Sequence, residues 1–266
     1  MYLTLSLVAK RLYARISGLS WDTVFIATAI VAFLAAGCVK GVIGLGLPLT
    51  SIAILTTTIA LRDAIPLIVI PVLITNIWQA SHGGALGRHF RRFWPLNLLL
   101  CAGTWVGTVL LFRIDPWILT LTLGIVIICY ALINMFAVTV KVRDGSEVFW
   151  SPVVGAFSGV LTGVTGSVGA PVAIYFQALG LGKEEFLQAI SLSFFLAAMA
   201  WIPSLASQSA FGLDIAITSS LALIPAFAGM WIGRRIRDHL SELYFQRGVF
   251  LFLIIIGVNL IRRSVF

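Results

Sequence analysis

The chain has 266 residues, 60 % of them hydrophobic and 11 % charged, with a formal charge of +8 and a mean hydropathy of +1.05. A soluble domain lies nearer half apolar and a quarter charged, and no dyad alternation runs through the apolar stretches, so a soluble fold and a transmembrane barrel are both excluded. The basic residues gather in short loops, as cytoplasmic loops facing anionic lipid do, which excludes a nucleic-acid surface.

In chain order, "MYLTLSLVAKRLYARISG" comes first. Leu5, Val8, Leu12 and Ile16 share one helical face, and Lys10, Arg11 and Arg15 follow the apolar part instead of preceding it. That order predicts an amphipathic surface helix over residues 1–18, not a signal peptide. From Trp21 to Ile261, apolar stretches recur that are long enough to cross a hydrocarbon core of about 30 Å. A long segment (21–39) runs into "CVKGVIGLGLP", residues 38–48, and a shorter one (48–60) follows. Spans over 64–82, 95–112 and 117–140 come next. After the polar loop "KVRDGSE" the order starts again: 149–162, a glycine motif, 171–181, then 186–206, 213–233 and 244–261.

The second motif, "GVLTGVTGSVGAP" from Gly159, aligns with "GCVKGVIGLGLP" from Gly37. Gly37, Gly41 and Gly44 fall on Gly159, Gly163 and Gly166; after one inserted residue, Gly46 and Pro48 fall on Gly169 and Pro171. The same register brings Trp78 onto Trp201, and "GTWVG" from Gly103 matches "GMWIG" from Gly229, both small-xxx-small pairs that let helices approach closely. The expected fold is therefore an all-α polytopic membrane protein of two repeats, residues 19–141 and 142–266. Each is a hairpin broken at a Gly-rich motif and followed by three transmembrane helices.

Equivalent loops carry opposite charge bias. The loop after the first complete span holds Arg88, Arg91 and Arg92, and its counterpart, 207–212, holds no Lys or Arg. The next loop holds Arg113 alone, but its counterpart holds Arg234, Arg235 and Arg237. This predicts halves of inverted topology, with both arginine-rich loops cytoplasmic. Parity then makes each glycine motif the apex of a re-entrant hairpin, with a short arm of about 21 Å for ~14 residues. It also places Lys10, Arg11 and Arg15 outside, against the charge rule.

Two hairpins entering from opposite faces are expected to bring their apices toward the midplane. Irregular backbone at depth survives only where it is buried in protein or lines a wet cavity. Pro48 and Pro171 suit the first position of a new helix, where a missing N–H costs nothing. Each apex would then present helix N-terminal amides, which suit an anion. The expected substrate-binding residues are Lys40, Gly41, Gly44, Gly46, Asn76, Gln79, Thr165, Gly166, Ser167 and Gly169, with Trp78 and Trp201 as cavity walls. Lys40 supplies the charge, because an intramembrane ionisable residue is a functional candidate by default. Asn76 and Gln79, three apart, face one cavity.

Asp22, Asp63, Asp115 and Asp214 fall at span ends, so no carboxylate relay is expected. Cys38, Cys101 and Cys129 form no CxxC pair and read as free thiols, with neither metal nor cofactor expected. Three histidines, with His82 and His89 together at the basic loop, leave no catalytic set, so the chain is not read as an enzyme.

The chain resembles the sulfite exporter TauE/SafE family of bacterial membrane proteins. The resemblance rests on "GVIGLGLP", "GVLTGVTGSVGAP", the duplicated architecture and the length, and it spans essentially the whole chain. It implies export of small sulfur-containing anions, such as sulfite or organosulfonates, across the bacterial inner membrane. Gly41, Gly44, Gly46 and Pro48, with Gly163, Gly166, Gly169 and Pro171, are the paired motif it implies. An inside-negative potential favours export by about 2.3 kcal/mol per charge per 100 mV. An anion channel is the alternative that the same residues leave open.

Overall fold

Hydrocarbon offers backbone amides and carbonyls no water, so a chain crossing it must satisfy them internally, and helices do so within one segment. A computed structural model describes residues 23–81, 84, 86–136, 142, 145–166, 170–237, 239 and 242–265, and all regular structure among them is helical. The surface helix expected over 1–18, together with Ser167, Gly169 and His82, lies outside the described residues.

The elements are α1 (Thr23–Ile43), α2 (Leu47–Leu55), α3 (Leu61–Ser81), α4 (Leu86–Arg92), α5 (Trp94–Arg113) and α6 (Pro116–Met135). They are followed by α7 (Glu147–Thr165), α8 (Ala170–Ala178), α9 (Lys183–Ser207), α10 (Leu213–Leu221), α11 (Leu223–Arg237) and α12 (Glu242–Val265). Eight spans are long and apolar enough to cross a membrane, with α10 and α11 forming one of them, so the chain is a multi-pass membrane protein. The short arms α2 and α8 have nine residues each. That is about 14 Å of helix, less than the sequence suggested, because the chain leaves the helix at Thr56 and at Leu179.

Helices α3 and α9 pack on one another, α5 packs on both α7 and α9, α11 on α1, and α12 on α6. Glycine sets the two closest pairs. A Cβ on Gly37 would overlap the Ala226 carbonyl and one on Gly233 the Cys38 carbonyl; one on Gly159 would overlap the Leu100 carbonyl and one on Gly107 the Val160 carbonyl. "GTWVG" thus seats on the helix that carries "GVLTG", and "GMWIG" on the helix that carries "GCVKG".

Helix α3 contains Pro66 and Pro71. Pro71 has no N–H, which orphans the Leu67 carbonyl and disturbs the turn before it. Ser219 of α10 repairs this: its hydroxyl donates to Leu67 O at 2.8 Å and accepts from the Ile70 amide at 3.1 Å.

The bundle has two chemically distinct ends. At one, the Arg234 guanidinium lies 4.4 Å from the Trp78 ring centre, three residues before α3 ends and the Arg88–Arg92 segment begins. Arg92 forks onto Glu147 at 2.9 and 2.8 Å, tying α4 to the start of α7. At the other end, Arg62 donates to Leu111 O at 2.8 Å and Ile114 O at 2.6 Å, holding the start of α3 to the end of α5. Both arginine-rich segments therefore share one end.

Candidate functional site

The α1–α2 break follows from its glycines. Gly44 (φ 92°) and Gly46 (φ 98°) both adopt left-handed backbone, which side-chain-bearing residues avoid. Gly46 caps α2 with no side-chain hydrogen bond, and the first intrahelical bond is Thr50 N to Gly46 O at 3.0 Å. Pro48 occupies the second helical position, not the first as expected, and Pro171 likewise stands second in α8. The missing N–H is harmless at either place, because the first turn has no partner for it. The amides of Gly46, Leu47 and Leu49 bond to no described residue, although Leu47 and Leu49 are buried. A buried helix start with open donors is an anion-binding arrangement.

Beside it stands Lys40, one turn before the apex: its carbonyl accepts from the Gly44 amide at 2.8 Å. Its place in the last turn of α1 sets a cation against the negative end of that helix. The side chain is 3 % exposed and donates to Asn76 Oδ1 at 2.6 Å. Asn76 is held in turn by its own amide nitrogen, which donates to Val72 O at 2.8 Å. One turn along α3, Gln79 Nε2 donates to Gly44 O at 3.0 Å. Lys40, Gly44, Asn76 and Gln79, chosen from sequence for depth and spacing, are thus joined through two parallel links between α1 and α3.

Two further residues at this apex, Thr50 and Leu187, were not legible in the sequence. Gln79 Oε1 and Thr50 Oγ1 are buried and meet no described partner, and the Leu187 side chain of α9 closes over Gly44. Ser191, one turn beyond Leu187 on α9, also has a buried hydroxyl with no described partner. Thr50 and Leu187 look like ordinary helix residues in sequence; only the fold brings them to the apex.

The remaining expected residues fall elsewhere. Gly41 packs against Met230 and Gly233 of α11, so a helix contact accounts for its lack of a side chain. Gly166 (φ 68°) caps α7, with its amide donating to Thr162 O at 2.9 Å. Thr165 is buried and donates to Leu161 O at 2.7 Å. Ser167 and Gly169 are outside the described residues. A Cβ on Gly166 would meet Ile52 and Ile65, whereas one on Gly44 would meet Leu187 and Gln79. Ile65 and Gln79 are 14 residues apart on α3, about 21 Å of helix. The apices therefore lie at different depths and do not face each other at one level as expected. The reason is arm length: α1 and α7 have 21 and 19 residues, about 30 Å each, and carry their apices past one another.

The two tryptophans expected as cavity walls differ in exposure. Trp78 is 38 % exposed beneath Arg234, and Trp201 is fully buried. Near the second apex, at the end away from the arginines, Arg62, Asp63, Pro66, Ser209 and Asp214 help to line an open cavity of about 130 Å³. The described acids, Asp63, Asp115 and Asp214 among them, stand at helix starts as expected. Cys38, Cys101 and Cys129 are free thiols.

A bundle of apolar spans, interrupted by short broken helices around a buried amine, defines the class of polytopic helical transport proteins. Within that class, a family model described as sulfite exporter TauE/SafE matches residues 29–260, which is most of the chain. The chain belongs to this family, and that makes it a membrane transporter of the sulfite-exporter type. Comparison with curated proteins and with solved structures returned no match.

Proposed function

We propose that the protein is a secondary transporter that exports small sulfur-containing anions, organosulfonates or sulfite, across the bacterial inner membrane. The anion binds at the first apex. The Lys40 ammonium meets its charge, the open amides of Gly46, Leu47 and Leu49 meet its oxygens, and Thr50 and Gln79 supply further polar contacts. Thr165 and Gly166 at the second apex guard the path nearer the opposite end, where the cavity beside Arg62 serves as the exit. Residues 19–141 and 142–266 act as inverted halves that move about the α3–α9 contact, with the arginine-rich end cytoplasmic.

One observation carries this reading: a lysine 3 % exposed, bonded among the described residues only to a neutral amide, stands beside a buried helix start whose donors meet no described partner. Such a site lacks one negatively charged partner. The burial of Lys40 favours a carrier over an open pore, since a pore would leave the amine wet.

The test is a thermal-shift screen of the purified protein against sulfite, isethionate, sulfoacetate, thiosulfate and plain carboxylates, followed by flux in proteoliposomes. Stabilisation by sulfur oxyanions, with saturable flux and counterflow, is expected. Stabilisation by none of them, or flux that rises in proportion to concentration with single-channel currents, contradicts the reading.

A further inference from the structure

We propose that the transporter couples anion to proton through Lys40: the lysine takes up a proton as the anion binds and gives it up as the anion leaves. The proposal rests on the reading of Lys40 as the anion's partner and adds to it what the site does when empty.

The argument is one of charge accounting around a sealed amine. Among the described residues Lys40 Nζ has one bonded acceptor, Asn76 Oδ1, which is neutral. Helix α2 carries no charged residue. On α3, Arg62 is committed to carbonyls at the far end and Asp63 stands beside it. On α9, Lys183, Glu184 and Glu185 occupy an exposed first turn. On α11, Arg234 and Arg235 lie over the Trp78 and Trp231 rings and Arg237 is exposed. On α12, Tyr244, Arg247, Arg262 and Arg263 are exposed and the Glu242 side chain lies outside the described residues; α1 itself adds only the Cys38 thiol. The Arg92–Glu147 ion pair joins α4 to the first residue of the α7 span. An ammonium removed from water with no counter-charge among the described residues costs several kcal/mol, and a group so placed neutralises instead. An arriving anion reverses the balance, because it supplies the missing charge within the same low-dielectric site.

A sulfonate is the anion of a strong acid and brings no proton of its own. The step is therefore sulfonate, proton and neutral Lys40 amine combining to a sulfonate–ammonium pair, with no covalent bond to the substrate made or broken. A monovalent sulfonate then crosses with its proton electroneutrally, and a dianion crosses with one net negative charge. Only the dianion is driven outward by the membrane potential.

Isothermal titration of isethionate and sulfoacetate into the purified full chain, in buffers of different ionisation heat, reads the protons taken up. One proton per anion is expected in the wild type, with affinity falling about tenfold per pH unit at alkaline pH. In Lys40→Arg, whose guanidinium stays charged, uptake falls to zero and the pH dependence flattens. Wild-type binding without proton uptake overturns the coupling and leaves the anion site standing; binding of neither sulfonate overturns both. Uptake that persists in Lys40→Arg places the proton elsewhere and overturns the proposal. A wild-type measurement guards against a variant that does not fold. In proteoliposomes, an outward isethionate gradient should acidify the external medium and ignore an imposed potassium–valinomycin potential. Flux that follows the potential without a pH change overturns the proposal.

Discussion

A lysine in hydrocarbon survives by being held. Asn76 fixes Lys40 Nζ at 2.6 Å, and the dipole at the end of α1 favours its charged form once an anion is bound. Removing Asn76 removes the acceptor that the described residues give Lys40, so Asn76→Leu should lower anion affinity and loosen α1 from α3, read as reduced thermal stability without substrate. Gly46 is held differently, by its φ of 98°. Gly46→Ala should cost on the order of 1–3 kcal/mol through backbone strain and weaken anion binding with it, as measured by melting in detergent and by titration. His89 on α4 offers a pH readout outside the spans. Burial and the neighbouring Arg88 and Arg92 guanidinia hold its imidazole below the usual value of 6.5, against Glu185 and a Gln188 hydrogen bond, which raise it. A folded state that resists protonation loses stability as pH falls below 6.5, since the unfolded chain then binds the proton more readily. His89→Gln should flatten that acid-side loss; an unchanged profile would assign it to other groups.

At the level of elements, two devices keep the broken and kinked helices in place. Backbone contact at glycine locks α1 to α11 and α5 to α7, so Gly159→Val should destabilise by about 1–3 kcal/mol or more through overpacking, with a lower melting temperature as the measure. Ser219 bridges the proline break in α3. Ser219→Ala should cost about 1–3 kcal/mol, the penalty for buried polar groups left unmade. The spans and both breaks were readable from sequence because apolar length and the Gly–Pro motifs each have a direct physical meaning. The break between α10 and α11 at Ala222 was not: Thr218, Ser219 and Ser220 before it are small hydroxyl residues that helices tolerate, and Pro225 resembles the tolerated prolines of α3. The short helix Leu86–Arg92 was hidden by its polarity. The offset of the apices depends on how far α1 and α7 continue past their glycines, which composition does not reveal. Lys40, Asn76 and Gln79 were legible because polar groups at depth are rare, whereas Thr50 and Ser191 belong to a residue type common in any membrane helix.

For the whole molecule, the shared end of the arginine-rich segments predicts a sidedness. In a cysteine-free background, Phe90→Cys should resist an impermeant thiol reagent in intact cells, and Ser207→Cys should react. Equal labelling would overturn the inverted arrangement. The account as a whole depends on an anion meeting Lys40 at the first apex, and calorimetric titration of isethionate or sulfoacetate into wild type and Lys40→Met tests this most directly. Loss of a buried, hydrogen-bonded charge partner costs about 2–5 kcal/mol, so affinity should fall by roughly 30-fold or more while the variant stays folded. Equal affinity in a folded Lys40→Met protein would contradict the account.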